Sequence, residues 1–278
     1  MASHSKTNQS GFTLVELAIA LMIIGLLIGG VLKGIELVEN ARVTQVMRNV
    51  KAYETAMTSF QSIYSALPGD INRPGDRIPN CTADPCQVSG NGNGIINDAA
   101  ITAAPAGINT TMAVPAVPSK PSGTTAGETY NFWLHLAATN LVSGVDPTGS
   151  EATAMITDPV QWGKSFPASP VIGAGFLVQN VRGAGSGAGG TLSAPYNTNA
   201  RFQGHYAILR GANVGDGVLT GNQALQIDTK FDDGLPGSGD IIVAAGTGGA
   251  TNADCVTGSI YQVNSDVKAC VLFLRLSK

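Results

Sequence analysis

An apolar run of 21 residues, from Phe12 to Leu32, lies near the N-terminus and contains a single charged residue, Glu16. In a helix, a run of this length spans roughly 31 Å at 1.5 Å per residue, which matches the hydrocarbon core of a bilayer. Cleavable secretory signals have apolar segments of only about 7–15 residues, so this run is too long for one. The sequence therefore predicts a helix that crosses a membrane once.

The charges on either side of this run predict its orientation. The residues before it contribute Lys6 and the terminal amine, whereas Lys33, Glu36, Glu39 and Arg42 just after it sum to zero. Because positively charged flanks remain on the cytoplasmic side, we expect a cytoplasmic N-terminus and an exported remainder.

Glu16 is unusual within this apolar run. A carboxylate at the centre of a bilayer costs about 2.5–3.5 kcal/mol, and such residues usually have a functional role. One interpretation is that Glu16 lies one turn from the membrane surface and reaches the headgroups. The other is that it pairs with a cation. Cleavage between Gly11 and Phe12 would create such a cation, the α-amine of Phe12, at the same depth in an adjacent chain.

The segment GFTLVE at residues 11–16, followed by the apolar run, resembles the class III signal of type IV pilins and type II secretion pseudopilins. This resemblance implies cleavage after Gly11 by a prepilin peptidase that also methylates the new amine of Phe12. It further implies that Glu16 neutralises the amine of a neighbouring subunit during filament assembly. The expected partners are other pilin or pseudopilin subunits, the peptidase/methyltransferase and the inner-membrane assembly machinery.

The resemblance also implies a location and a function. The precursor would cross the bacterial inner membrane once, with a periplasmic head, and would later be extracted into a filament. The expected function is that of a structural subunit of a type IV pilus or a type II secretion pseudopilus. The alternative is a minor tip subunit whose loops serve adhesion or recognise a secreted substrate.

The helix is predicted to continue beyond the membrane. Apolar residues recur at alternating intervals of three and four, which is typical of an amphipathic helix. They are Val43, Val46, Val50, Tyr53, Met57, Phe60 and Tyr64. Pro68 and Gly69 end the pattern. The predicted division is therefore a leader at residues 1–11, a helix at 12–66 and an exported head at 67–278.

The head combines long loops with short strands and two helices. Strands are predicted at residues 175–181, 202–209, 241–245 and 270–276. Helices are predicted at 128–142, with a capping box from Thr125 to Glu128, and at 221–232, with one from Thr220 to Gln223. The predicted fold class is α+β, in which a long N-terminal helix packs on an antiparallel sheet, as the resemblance to pilins also implies.

Charge and motif content exclude several functions. The chain has 16 basic and 19 acidic residues, a net charge of −3, which argues against nucleic acid as a partner. No GxSxG, HExxH or Walker motif occurs in the 278 residues. We therefore expect neither an enzyme nor a resident cofactor, apart from the calcium considered below.

Four cysteines form two local pairs, and four cysteines allow three disulfide connectivities. Proximity in sequence, together with export to an oxidising compartment, favours Cys81–Cys86 and Cys255–Cys270. The competing interpretation is a zinc site made of four thiolates, although neither pair has the CxxC spacing of zinc ribbons. A Cys255–Cys270 bridge would also match the disulfide-bounded C-terminal region of many pilins.

Carboxylates cluster where the second predicted helix of the head ends. Asp228, Asp232 and Asp233 would oppose the dipole at the helix C-terminus, and a Ca²⁺ ion would relieve this conflict. Some secretion pseudopilins bind calcium, which supports this hypothesis. The alternative is that the carboxylates are solvated beside Lys230 or organise a turn. The segment GNGNGIIND at residues 90–98 has a weaker similarity to a calcium loop, since it carries little charge.

Overall fold

A computed structural model of the protein describes residues 13–96, 127–146, 162–164, 166–182, 190–191, 204–213, 216–246, 252–258 and 260–277. The chain divides into two compact units, Met1–Arg42 and Val43–Lys278. The first helix, α1, extends from Leu14 to Tyr64 and contributes residues to both units. The predicted helix at 12–66 thus agrees with the structure to within two residues at each end.

In the first unit, α1 presents its large apolar side chains to its surroundings. The exposed set is Leu14, Val15, Leu17, Ile19, Leu21, Met22, Ile23, Ile24, Leu26, Leu27, Ile28, Val31, Leu32, Ile35, Leu37 and Val38. By length and composition, this helix is able to cross a membrane. Apolar surface on this scale needs lipid or other apolar helices around it, since exposure to water is unfavourable.

In the second unit, the remainder of α1 buries the predicted apolar stripe. Val46 and Phe60 are completely buried, and Val43, Val50, Tyr53 and Met57 are nearly so. The ring of Tyr53 makes edge contacts with Trp133, at 4.9 Å between centroids, and with Phe176, at 5.3 Å. This half of α1 is therefore an integral part of the hydrophobic core of the head.

The main sheet of the head has five strands in the order β2-β1-β3-β7-β4. The strands are β1 (Ala174–Arg182), β2 (Gly190–Thr191), β3 (Gly204–Gly211), β4 (Ile241–Ala245) and β7 (Cys270–Ser277). The four strands β1, β3, β7 and β4 are antiparallel, whereas the two-residue β2 runs parallel to β1. A separate pair consists of β5 (Val256–Thr257) and β6 (Ile260–Tyr261). The α+β class predicted from the sequence is confirmed.

Three of the four predicted strands agree closely with the structure, and the other continues past its predicted end. The strand predicted at 202–209 corresponds to β3, which is described from Gly204 to Gly211, and residues 202–203 lie outside the described residues. Its last residues pair with the start of β1, where Gly211 lies opposite Ala174. Sheet pairing therefore extends the strand past the point at which its apolar pattern stops.

The helix α3 (Glu128–Ala138) is buried along its whole length. It ends four residues before the predicted position, and Asn140 adopts a left-handed backbone conformation, with φ of 58°, just beyond it. The predicted capping box at Glu128 is wrong, because Gly127 is the N-cap residue and Glu128 begins the helix. The carboxylate of Glu128 instead accepts the backbone N–H of Asn91, at 3.0 Å. Thr125 lies outside the described residues.

The helix α4 (Gly221–Phe231) begins with the predicted capping box. The Thr220 hydroxyl oxygen accepts the Gln223 backbone N–H, and the Gln223 side chain accepts that of Thr220. Two helices of four residues, α2 (Pro74–Arg77) and α5 (Asn252–Cys255), complete the described elements. Local sequence alone thus specified where α4 begins.

We predict that Gly175→Ala destabilises the head. A Cβ atom at this position would lie 2.1 Å from Cε3 of the Trp162 ring. Overpacking of this kind costs about 1–3 kcal/mol, which thermal unfolding of the full chain in detergent will measure. The control is Gly75→Ala, whose Cβ would meet the flexible Gln87 side chain at 3.1 Å. Equal stability of the two variants would contradict the prediction.

Candidate functional site

The predicted assembly carboxylate, Glu16, lies in the first turn of α1 and contacts Thr13. The backbone N–H and the hydroxyl of Thr13 both donate to Oε2 of Glu16, at 2.9 and 2.8 Å. In return, the backbone N–H of Glu16 donates to Oγ1 of Thr13, at 3.3 Å. These contacts form a capping box, in which N-cap and third residue satisfy each other's exposed backbone donors. The predicted processing residues Gly11 and Phe12 lie outside the described residues.

This capping box bears on how a carboxylate is tolerated at the start of an apolar helix. The donors from Thr13, together with the positive end of the helix dipole, stabilise the negative charge of Glu16. A carboxylate offers about four acceptor positions, so these two donors leave capacity for a further donor such as an amine. The role of Thr13 was missed in the sequence, although its T-x-x-E spacing is the signature of a capping box.

The two local cysteine pairs are both disulfides in the structure. Sγ of Cys81 is 2.07 Å from Sγ of Cys86, and Sγ of Cys255 is 2.06 Å from Sγ of Cys270. The second bridge closes a segment that contains the β5–β6 pair and leads into β7. A zinc site built from four thiolates is incompatible with this pairing, because disulfide sulfurs carry no thiolate charge.

His135 lies beside the Cys81–Cys86 bridge and is completely buried. Its Nδ1 accepts the backbone N–H of Gly69, at 2.9 Å, and its Nε2 donates to the carbonyl oxygen of Cys86, at 2.9 Å. Burial lowers the pKa of His135 to about 4, while the bond to the Cys86 carbonyl opposes this shift. The histidine is therefore neutral at physiological pH and holds the segment that follows α1.

The three predicted metal-binding carboxylates converge between α4 and β4. The ligating oxygens of Asp228, Asp232 and Asp233 all lie within 4.8 Å of one another. Asp232 Oδ2 accepts the backbone N–H groups of Asp240 and Ile241, at 2.5 and 2.7 Å.

Asp233, the third carboxylate, accepts the Leu235 backbone N–H, at 2.9 Å, and the Ser238 hydroxyl. The contacts of Asp232 and Asp233 thus match the turn-organising alternative. Calcium binding at this cluster remains a prediction.

Asp228 differs from its two neighbours because it is fully buried. Its carboxylate accepts the hydroxyl of Tyr261, at 2.5 Å, and the backbone N–H of Gly234, at 3.3 Å. Burial raises the pKa of Asp228 to about 6; these two hydrogen bonds oppose the shift, and the nearby charges of Asp232 and Asp233 add to it. The bond to Tyr261 connects α4 to the disulfide-bounded C-terminal segment.

Catalytic groups do not converge within the part of the chain that the structure describes. His135 is engaged on both ring nitrogens, and His205 Nε2 accepts the backbone N–H of Ile96, at 3.2 Å. A half-open groove of about 530 Å³ contains charged residues. Within it, Lys51 is paired with Glu54, at 2.8 Å, and Arg275 with Asp240, at 3.0 Å.

We predict that Asp228 and His135 affect stability in opposite directions between pH 4 and 6. The raised pKa of Asp228 means that the folded state binds its proton more tightly, so this group stabilises the fold as pH falls. The lowered pKa of His135 means that the unfolded state binds its proton more tightly, so this group destabilises the fold over the same range.

Asp228→Asn should therefore remove the stabilisation by Asp228 at low pH and leave the destabilisation by His135 without an opposing effect. Between pH 7 and pH 4, the free energy of unfolding of Asp228→Asn should decrease by about 2–3 kcal/mol more than that of the wild type. Chemical denaturation at each pH, with EDTA present to remove divalent cations, will measure it. A difference between the two proteins that does not change with pH would contradict this prediction.

The N-terminal segment matches a known family, described as "Prokaryotic N-terminal methylation motif", over residues 6–32. No curated protein and no solved structure matches the chain significantly. The matched range covers GFTLVE and most of the exposed apolar residues of α1, and it fits anchoring in a membrane. It implies processing by a prepilin peptidase and assembly with other pilin-type subunits, and it indicates a structural protein rather than an enzyme family. The chain therefore carries the class III prepilin signal, consistent with the pilin and pseudopilin family.

Proposed function

We propose that this protein is a structural subunit of a type IV pilus or of a type II secretion pseudopilus. The observation that carries the proposal is the methylation motif at residues 6–32, which overlaps, from Leu14 onward, an apolar helix whose large apolar side chains are exposed. In this proposal, cleavage follows Gly11, methylation falls on the amine of Phe12, and assembly occurs through the N-terminal helix.

The apolar surface of α1 supports this function on physical grounds. Residues 14–38 form a helix whose large apolar side chains are all at least half exposed. Lipid satisfies this surface in the precursor, and the corresponding helices of other subunits satisfy it in a filament. The exchange of one apolar environment for another makes extraction from the membrane thermodynamically feasible.

The geometry of Glu16 supports a role in joining subunits. Among the residues that the structure describes, its carboxylate bonds only to Thr13. The amine that cleavage would create on Phe12 is a strong donor of opposite charge. Where lipid or packed helices exclude water, such a pair is stronger than at a protein surface, because the effective dielectric constant is lower.

We predict that the mature protein begins at Phe12 and carries a methyl group on its amine. Mass spectrometry of the N-terminal peptide from the source organism's membrane or filament fraction tests this directly. Gly11→Val should accumulate as the uncleaved precursor, because the branched side chain obstructs the peptide bond to be cut. A mature chain that retains Met1, or one that begins after Ala20, would contradict the proposal.

We predict that Glu16→Ala lowers incorporation into filaments about tenfold or more, the change that corresponds to loss of one charge pair. Glu16→Gln should lower incorporation as well, because a neutral amide cannot neutralise an amine. Its amide oxygen can still accept the capping hydrogen bonds from Thr13, so this variant tests the charge alone. The control is Glu39→Ala, which removes a half-exposed pair with Arg42, at 2.6 Å, of little energetic value. Quantitative immunoblotting measures the amount of the protein in sheared filaments and in membranes. Normal incorporation of Glu16→Gln would overturn the role of the Glu16 charge.

A minor subunit at the filament tip is the alternative function. It is favoured by three exposed apolar side chains in the segment closed by Cys255 and Cys270. These are Ile260, Val263 and Val267, with exposed fractions of 70%, 45% and 45%. Exposed apolar side chains within one disulfide-closed segment are candidates for a contact surface. Because a main subunit is abundant and a tip subunit is scarce, the number of chains per filament length distinguishes the two functions.

A further inference from the structure

A glycine- and asparagine-rich loop at residues 90–94, GNGNG, is held by the buried carboxylate of Asp70. Oδ1 of Asp70 accepts the backbone N–H of Gly92 at 2.6 Å and that of Asn93 at 3.2 Å. Oδ2 accepts the backbone N–H of Gly94, at 2.7 Å. Asp70 is only 2% exposed, whereas residues 91–94 are all exposed. One buried anion thus fixes three consecutive backbone nitrogens of a surface loop.

The same loop contains two Asn–Gly steps, Asn91–Gly92 and Asn93–Gly94. In such a step, the backbone nitrogen of glycine can attack the side-chain carbonyl carbon of asparagine. A bond forms between this nitrogen and Cγ, the Cγ–Nδ2 bond breaks, and the side-chain nitrogen leaves as ammonia with the proton of the amide. Water then opens the cyclic imide to aspartate or isoaspartate. Glycine favours the attack because it has no Cβ to obstruct it.

We propose that Asn91 and Asn93 are latent deamidation sites and that the carboxylate of Asp70 restrains both. The two nitrogens that would attack, those of Gly92 and Gly94, are the ones whose N–H groups bond to Asp70 at 2.6 and 2.7 Å. Modification at these sites is therefore governed by a side chain that lies more than 20 positions earlier in the sequence.

Two physical effects give Asp70 this influence. The attacking nitrogen must give up its proton and turn towards Cγ, and both changes break a charge-assisted hydrogen bond. In addition, an adjacent negative charge disfavours the amide anion that attacks, in the same way that it disfavours any anionic form. The protection therefore comes from an interaction with the nucleophile and does not require burial of the asparagine.

The asparagine side chains are also fixed by the loop. Oδ1 of Asn91 accepts the backbone N–H of Asn93, at 3.0 Å, and Oδ1 of Asn93 accepts that of Ile95, at 2.8 Å. Deamidation at either site would add a negative charge to the loop whose backbone Asp70 holds. A buried second carboxylate, Glu128, already accepts the N–H of Asn91 at 3.0 Å. Repulsion among these anions would weaken the attachment of the loop.

The test compares deamidation rates at the two sites in the full chain, kept in detergent in heavy-oxygen water. Peptide mass spectrometry detects the incorporated oxygen and separates the products of Asn91 from those of Asn93. We expect wild-type rates about tenfold or more below those of the same chain unfolded in urea, since a hydrogen bond to a charged group must first break. Rates as fast as in urea would overturn the proposal.

Variants of two buried carboxylates separate the specific effect from general loosening of the loop. Asp70→Ala should accelerate both sites towards the rate in urea. Asp70→Asn should accelerate at least one, because its single amide oxygen replaces two carboxylate oxygens. Glu128→Gln is the matched control, since its contact with Asn91 holds neither attacking nitrogen. Unchanged rates in the Asp70 variants, or equal acceleration by Glu128→Gln, would overturn the proposal.

Hydrogen exchange of the wild-type chain provides a measurement that does not depend on the folding of any variant. The amides of Gly92 and Gly94 should exchange slowly, even though both residues are exposed, because each is bonded to Asp70. Exchange at the rate of an unstructured peptide would overturn the proposal. Near-ultraviolet circular dichroism will establish which variants retain the packed aromatic core before their rates are compared.

Discussion

The apolar surface of residues 14–38 is the constraint on which the function of this chain depends. These side chains are exposed in their own unit, so an apolar environment must be supplied from outside it. A membrane and a bundle of similar helices both supply one, and a subunit that moves between them keeps its apolar surface covered. Glu16, the one anionic residue of the apolar run from Phe12 to Leu32, does not abolish this property, because Thr13 donates two hydrogen bonds to its carboxylate.

The head depends on a different interaction, the use of buried polar side chains to hold loops. The segment from Ser65 to Ile96 contains only one short helix, α2, so many of its backbone groups lack partners in regular secondary structure. His135 accepts the N–H of Gly69, Asp70 accepts three N–H groups, and Glu128 accepts that of Asn91. His135 and Glu128 both project from α3, which makes this buried helix the anchor of the loop segment.

Features that depend on local periodicity could be predicted from the sequence, whereas those that depend on distant contacts could not. The stripe from Val43 to Phe60 and the capping box of Thr220 are set by neighbours along the chain, and both were predicted.

The capping box assigned to Glu128 was wrong, because that carboxylate bonds to Asn91, 37 positions earlier. The hydrogen bond from Gly92 to Asp70 likewise could not be predicted, since no spacing rule relates residues 22 positions apart. The carboxylates of Asp228 and Asp232 were found through their helical spacing, but their bonds to Tyr261 and Asp240 were not.

Only 13% of the residues are charged, yet the ionic groups that are buried have specific structural roles. Arg210 is fully buried and donates to the carbonyl oxygens of Gly211 and Asn213, at 3.0 and 2.6 Å. Asp70 has the complementary role, because its carboxylate accepts hydrogen bonds from three backbone N–H groups. A carboxylate has two equivalent oxygens and a guanidinium has five donors, so each can satisfy several backbone groups of a turn at once. A neutral amide has fewer positions and weaker bonds. The charged residues buried in this loop-rich head are therefore harder to replace than those on its surface.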